Sequence, residues 1–404
     1  MEAKSATLDA PETDAVGTHY NILLAVSLGH FLNDTVQSLL VPTYPVIKEN
    51  FGLNFTRIGL ITLAYQITAS LLQPIVGHYT DRHPQPYSLA VGMVCTLTGL
   101  TTLAFAPSYF WLIVGACVLG TGSSVFHPES SRIARMASGG RFGTAQSIFQ
   151  VGGNAGSSAG PLLAAAVVIP HGQWSLSWFA VLPLAGFALM IKIGGWAKRQ
   201  GRIAGRKLGP PPAPLVSRPV LIRTFAALLA LIFSKYFYIA SITSYFIFYL
   251  TGKFAVSVQQ AQLVLFVFLF AMAAGTVLGG PIGDRIGRKW VIWLSILGAA
   301  PFTLALPYVG LTATCVLVFI IGFVLSSAFA AIVVFAQELV PGRVGTVAGL
   351  FFGMSFGMGG IGAGVLGWLA DHYGIEYVYH LCSYLPLLGF CAILLPKVPD
   401  KVAG

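Results

Sequence analysis

Five ionisable side chains stand where a membrane-crossing helix would bury them: His30, Asp34, His127, Glu129 and Lys235. A charge at mid-span costs roughly 2.5–3.5 kcal/mol on insertion scales, so such residues face a bundle interior and carry a function or a partner. His30 and Asp34 are four residues apart and share one helix face. Imidazole changes charge between pH 5 and 8 and can share or relay the proton of a neighbouring carboxylate. The pair is therefore a candidate proton-coupling site, the alternative being a structural hydrogen bond from Asp34 to a neighbouring helix. Glu129 shares a face with Arg132, while His127 points elsewhere. A second proton site at Glu129 and His127 and a buried Glu129–Arg132 ion pair are both consistent with that spacing. Lys235 lies about 22 Å along its span from Val220, at 1.5 Å per residue. An ammonium at that depth suits an anionic substrate group, with Tyr236, Tyr238, Tyr245, Gln66, Gln73 and Gln150 lining the route; the alternative is a lysine snorkelling to the interface. Asn154 is a weaker cavity candidate, since such residues also join helices.

The elements that must position these groups follow from composition. Of 404 residues, 56% are hydrophobic and 9% charged, against about 25% charged in a soluble domain. Lipid must cover this surface. The apolar stretches are long and continuous, which favours helices of about 20 residues over barrel strands. Twelve spans are expected, at 21–47, 58–79, 87–106, 109–135, 142–169 and 174–196, then 220–251, 258–283, 289–309, 312–337, 344–369 and 374–395. Residues 1–18 read as a disordered cytoplasmic tail rather than a signal peptide. Bundles at 19–196 and 220–396 are joined by a basic, proline-rich linker at 197–219, expected to be semi-extended, and 397–404 form a second cytoplasmic tail. With the N-terminus inside, every Lys and Arg falls on the cytoplasmic side except Lys48, Arg57, Lys253 and the intramembrane Lys235. That asymmetry places both termini in the cytoplasm of a bacterial inner membrane. It also explains the net charge of +10 without nucleic acid. The five cysteines form no CxxC pair, which argues against a disulfide framework or zinc site, and no metal is expected.

The halves repeat. Gly77-His-Tyr-Thr-Asp81-Arg82 follows the second span; Gly280-Pro-Ile-Gly-Asp284-Arg285-Ile-Gly-Arg288-Lys289 follows the eighth, at an offset of 203. Independently, Gly140-Arg-Phe-Gly143-Thr144 opens the fifth span and Gly342-Arg-Val-Gly345-Thr346 the eleventh, at an offset of 202. Two unrelated motifs with nearly one offset indicate a duplicated six-helix unit. Gly77 and Gly280 permit close helix approach, and Asp81 or Asp284 could accept hydrogen bonds from an adjacent helix N-terminus and bridge to Arg82, Arg285 or Arg288. That would latch the cytoplasmic side; the plainer reading is topology-setting charge. His83-Pro84-Gln85-Pro86 replaces the basic arm in the first copy, so the second latch should be the stronger. Gly156-Ser-Ser158-Ala-Gly160 matches a hydrolase elbow and Gly357-Met-Gly-Gly-Ile-Gly362 a dinucleotide fingerprint, but neither follows a strand. Both read instead as small helix-packing faces.

The GxxxDR…GRK loops resemble the signature of the major facilitator superfamily, and the resemblance covers essentially the whole chain. His30-Phe-Leu-Asn-Asp34, Gly120-Thr-Gly-Ser-Ser-Val-Phe-His127-Pro-Glu129-Ser-Ser-Arg132, Phe233-Ser-Lys235-Tyr-Phe-Tyr238 and Gly280–Lys289 resemble the fosmidomycin-resistance branch of bacterial efflux proteins. The resemblance implies an all-α membrane protein of twelve helices in two pseudo-symmetric bundles. It also implies an antiporter that expels a small phosphonate-type drug using the inward proton gradient; no cofactor is expected, and the chain is expected to act as a monomer. Gly156, Gly160 and Pro161 resemble the fifth-helix antiporter motif, although Ala164-Ala165 stands where its closing glycines would be. Cys117 occupies the place of the family's fourth-helix arginine, so that version of proton coupling does not carry over. An uptake symporter for a sugar or organic anion is the alternative. A membrane-embedded hydrolase using Ser158 or a His/Glu metal site is disfavoured, since HExxH is absent. A channel fits the duplicated plan poorly.

Overall fold

The computed structural model describes residues 17–53, 55–207 and 216–396. The two tails, as far as they fall at 1–16 and 397–404, lie outside the described residues. Twelve helical spans cross the bundle. In the first half these are Tyr20–Ser38 (continued by Val41–Thr43 and Tyr44–Phe51), Phe55–Arg82, Ser88–Ala104, Tyr109–Met136, Phe142–Leu163 and Val181–Lys207, the last preceded by a 3-10 turn at Gln173–Ala180. The second half has Arg218–Phe254, Val258–Ile286, Arg288–Leu297 with Ala300–Ala305, Leu311–Ser326 with Ala328–Leu339, Val344–Tyr373, and Ile375–Ser383 with Leu385–Leu394. Among the described residues nine helices are long and apolar enough to cross a membrane, and Ser88–Ala104 is a shorter apolar one. Tyr20–Ser38 and Phe142–Leu163 are outside that set. The first carries His30, Asn33, Asp34 and Gln37, the second Gln146, Gln150 and Asn154, so polar groups of the interior lower their hydropathy.

The linker differs from expectation. The sixth helix runs through Lys207, well into the stretch expected to be extended. Its Ala, Lys, Arg and Gln favour helix and no proline intervenes before Pro210; residues 208–215 lie outside the described residues.

Three hydrophobic cores set the shape. One joins both lobes and runs from Leu23, Met93 and Phe149 to Ile232, Phe329 and Phe352. The other two are separate, one around Leu39, Leu103 and Leu176 in the first lobe, the other around Phe246, Tyr249 and Tyr379 in the second. The lobes are thus fused at the end bearing Arg132, Arg141, Arg285 and Arg343, the basic end, and separate at the other. Across the interface the second span packs on the eleventh and the fifth on the eighth. A Cβ at Gly77 would lie 2.1 Å from Gly345 O, and one at Gly280 would lie 2.1 Å from Gly143 O. Only hydrogen fits between these backbones. Farther along the eleventh span, Gly357 and Gly364 face nothing within 4 Å, where the lobes have parted.

Within the first lobe, Gly156 and Gly160 seat the fifth span on the first, against Phe31 O and Ser38. Ser38 Oγ donates to Gly156 O at 3.4 Å. Pro161 lies in that helix, which passes into a π-helical turn at Ala164–Val168.

Candidate functional site

The latch loops meet helix N-termini reciprocally. Asp284 accepts from Gly143 N at 2.9 Å, Thr144 N at 2.8 Å and Thr144 Oγ1 at 2.8 Å. Asp81 accepts from Gly345 N at 2.8 Å, Thr346 N at 2.7 Å and Thr346 Oγ1 at 2.7 Å. Each carboxylate of one lobe therefore caps the opening helix of the other, where free N–H groups and the helix dipole favour an anion. The arginines divide differently from expectation. Arg82 and Arg285 are exposed and form no ion pair among the described residues, because the residue next to the carboxylate points away from the lobe interface. Arg288, one turn on, pairs with Asp284 at 3.2 Å and Glu338 at 3.1 Å. The first latch has Gln85 at that position. Nearby, Arg132 of the fourth span donates to Thr80 O at 3.1 Å and pairs with Glu129 rather than with Asp81. Since a hydrogen bond to a charged group contributes about 1.5–3 kcal/mol, Asp284→Asn should open the basic end by about tenfold in population, and Asp81→Asn by less. Spin-label distances between the basic ends of the lobes would measure both; equal effects would remove the distinction drawn from Arg288.

Deeper in, the first and fourth spans bring three titratable groups together. His30 Nε2 is 3.2 Å from Asp34 Oδ2, His127 Nε2 is 3.7 Å from Asp34 Oδ1, and the two Nε2 atoms are 3.2 Å apart. Both histidines are fixed from behind. His30 Nδ1 meets Phe149 O at 2.8 Å and His127 Nδ1 meets Ser123 O at 2.9 Å. A carbonyl only accepts, so each Nδ1 carries a hydrogen and donates it, and each Nε2 is the atom that gains or loses a proton. Two bare Nε2 lone pairs cannot face one another at 3.2 Å beside a carboxylate. A shared cation, a proton or a metal ion, would relieve that repulsion and balance the Asp34 charge. Asn33 Nδ2 donates to Asp34 Oδ1 at 3.1 Å, and Asn33 Oδ1 accepts from Thr96 Oγ1 at 2.9 Å. The ligand atoms of the triad all lie within 4.8 Å of one another, close enough to share a cation. The site faces the lobe interface rather than lipid. Phe149 of the fifth span stacks on His30 at 4.1 Å, while Phe352 and Phe356 of the eleventh approach His127 at 5.2 and 5.1 Å. Asp34 is 9% exposed against 2% and 1% for the histidines, so the carboxylate is the triad's contact with the surroundings.

The other sequence candidates fall elsewhere. Glu129 does not reach the triad. Its Oε2 takes the Arg132 guanidinium and Ser88 Oγ, making it a buried ion pair that ties the second, third and fourth spans. Lys235 is 2% exposed; its Nζ donates to Ser326 O at 3.3 Å and lies 5.5 and 5.6 Å from the Tyr236 and Phe329 rings. It is packed inside the second lobe rather than snorkelling, and among the described residues it pairs with no carboxylate. Tyr238 belongs to the second lobe's core, so it does not line a route, whereas Tyr236 faces the Phe329 ring. Tyr245 packs against Gly367. Gln73 is wholly buried, its amide donating to Ala69 O at 2.7 Å. Gln66 and Gln150 are half-buried, each with an unpartnered side-chain carbonyl, and Gln66 faces Gly360 across the interface. Asn154 donates to Thr276 Oγ1 at 3.0 Å, an interlobe tie rather than a cavity group.

Sequence reasoning passed over Gln337, which donates to Ser131 Oγ at 3.1 Å while Arg135 Nη1 donates to its carbonyl at 3.4 Å. An amide inside an apolar tenth span was the available signal. It also passed over Tyr65, whose hydroxyl donates to Gln37 Oε1 at 2.8 Å one turn beyond Asp34.

Known proteins share this architecture. The fosmidomycin resistance protein of Escherichia coli (strain K12) is 56% identical over 97% of both chains. An uncharacterized MFS-type transporter, YfnC, of Bacillus subtilis (strain 168) is 39% identical over 98% of this chain and 96% of its own. Among solved structures, the human organic anion transporter MFSD10 superposes with a TM-score of 0.75 at 18% identity, over 93% of this chain and 99% of its own. The transporter FucP in its outward conformation gives 0.72 at 15% identity, over 94% and 99%. The sequence model of the superfamily matches residues 26–253 and again 229–404, one match for each copy of the duplicated unit. With its paired latches and twelve spans, the chain belongs to the Major Facilitator Superfamily and is a multi-pass membrane transporter, not an enzyme.

Proposed function

We propose that the chain is a proton-coupled antiporter that exports a small anionic drug, with the phosphonate fosmidomycin as first candidate. The observation that supports the coupling is the Asp34–His30–His127 triad, whose fixed tautomers leave two Nε2 atoms and a carboxylate able to share one proton at the lobe interface. The drug class is supported by the 56% identical relative. The basic end is cytoplasmic on the positive-inside rule, so the state described is closed to the cytoplasm and parted outside. Both termini then lie in the cytoplasm of a bacterial inner membrane. The proton gradient is the energy source, no cofactor takes part, and a single chain suffices because both lobes come from one duplicated sequence.

The cycle follows from charge. With its proton, the triad is neutral and tolerates burial between the lobes. Without it, a carboxylate faces two imidazole lone pairs, and the site favours opening to water and substrate. A proton taken from outside thus permits closure and return, and its release to the cytoplasm readies the carrier for drug. Lys235, a buried ammonium whose hydrogen-bond partner is a backbone carbonyl, supports an anionic cargo. Breaking a buried charge pair costs about 2–5 kcal/mol, so Lys235→Met should weaken fosmidomycin binding by about 30-fold or more. Stability should be preserved, since a buried cation gives way to an apolar chain of similar length. Titration of purified protein by calorimetry would test this; unchanged affinity removes Lys235 from the substrate path. Direction is decided in vesicles. Everted vesicles energised with acid inside should accumulate fosmidomycin and right-side-out vesicles should not; the reverse pattern would favour an uptake symporter.

A further inference from the structure

The offset that relates the two halves also relates their buried polar centres. A shift of 202 carries Asn33 onto Lys235 and Ser124 onto Ser326. The Lys235–Ser326 contact therefore stands in the second lobe where the first lobe has its triad, between the first and fourth spans. We propose that Phe329 and Phe352 couple an anion held at Lys235 to the proton held by the triad. This rests on the proton-coupled reading above and adds the route by which substrate and proton sense each other.

The tenth span runs as helix over Leu311–Ser326 and Ala328–Leu339, and Ser327 between them keeps helical φ −68° and ψ −23°. Lys235 Nζ donates to Ser326 O at 3.3 Å. Phe329, three residues farther along that helix, has its ring centroid 5.6 Å from Nζ. Its ring meets Phe352 edge-on at 4.9 Å. Phe352 meets His127 at 5.2 Å and Phe149 at 6.0 Å, and Phe149 is the ring stacked on His30. One phenyl of the second lobe thus touches the triad directly through one histidine and indirectly through the other. An anion arriving at Lys235 draws Nζ away from Ser326 O. The Ser326–Phe329 turn of the tenth span shifts, and a core packed at crystal density passes that displacement to its neighbour rather than absorbing it. Phe352 then moves against His127 and alters the Nε2 spacing on which the shared proton depends.

The groups that titrate around the triad are its own three members and Tyr65 of the second span, which lies close enough to Asp34 to feel its charge. The third span presents Thr96, the fifth Phe149, and the eleventh Phe352 and Phe356. Lys235 faces Tyr236 on its own helix and Ser326 and Phe329 on the tenth. Among these contacts the link between the two centres is aromatic rather than ionic.

The test is equilibrium binding of fosmidomycin to the purified full-length chain over a series of pH values. Linkage to one proton makes native Kd change by about tenfold per pH unit where that proton is lost. Phe352→Leu should still bind fosmidomycin and remain folded by thermal unfolding, but its Kd should vary by less than about twofold per pH unit. Phe329→Leu should do the same. Phe351→Leu, the adjacent ring packed on Phe225, should keep the native slope, which separates this route from a general loosening of the eleventh span. A full slope in folded Phe352→Leu and Phe329→Leu overturns the route while leaving proton coupling intact. A flat native profile overturns proton coupling itself and the route with it.

Discussion

Asp34→Asn is expected to abolish gradient-driven export while leaving the bundle folded. The amide is isosteric with the carboxylate, and Thr96 still anchors Asn33 beside it. What changes is charge. With a neutral amide at position 34, nothing balances a proton on the paired imidazoles, and an imidazolium at the lobe interface becomes an unpaired buried cation. Positioned acid–base groups contribute about 10²–10⁴-fold to a proton-transfer step, so concentrative export should fall by at least about 100-fold, to the passive leak. Downhill exchange of drug across liposomes without a gradient should persist, because the latches are untouched. Drug-loaded proteoliposomes under an imposed pH step would check both halves. His127→Gln should fall in the same direction, since His127 closes the triad from the fourth span. Glu129→Gln should not, since that carboxylate serves Arg132 and Ser88.

The second large effect belongs to a single methyl group. Gly280→Ala would place a Cβ 2.1 Å from Gly143 O and 2.4 Å from Ser147 Oγ. The serine hydroxyl can rotate away, but the carbonyl belongs to the first turn of the fifth helix and cannot move without displacing the Asp284 latch. The clash exists only where the lobes meet at the basic end. Overpacking of this kind costs about 1–3 kcal/mol, and because it acts on one state it should lower the closed population by about 10–100-fold. Gly77→Ala should act alike at the other junction, against Gly345 O. Both proteins should therefore rest open at the basic end, with export lost although the triad is intact. Alkylation of a cysteine introduced at Gln150 from that side, fast in the variants and slow in the native chain, would report the shift. Slow labelling in both would contradict the packing argument.

Legibility in the sequence followed the range of the interactions. His30 and Asp34 were readable as a pair because four residues on a helix bring two side chains together without any help from tertiary structure. The latches were readable because duplication wrote Asp81 and Asp284 twice in the same glycine setting, and the partner turns at Gly143 and Gly345 twice as well. His127 was placed among proton candidates without its partner, because its approach to Asp34 depends on how the first and fourth spans cross. The same limit left Glu129 open between two roles; Ser88, on a third helix, decides between them. Tyr238 shows the converse. It lies three residues from Lys235 on the same side of the helix, but the neighbouring helices enclose it in the second lobe's core. The Arg132 contact with Thr80 O beside the first latch likewise joins distant segments.

The proposed transport cycle depends on one proton being exchanged for cargo at the triad. Adding saturating fosmidomycin to native protein in weakly buffered detergent, at a pH where the triad is loaded, should release about one proton per chain by linkage. Asp34→Asn should release none. Binding without proton release by the native chain, or undiminished release from Asp34→Asn, would contradict it.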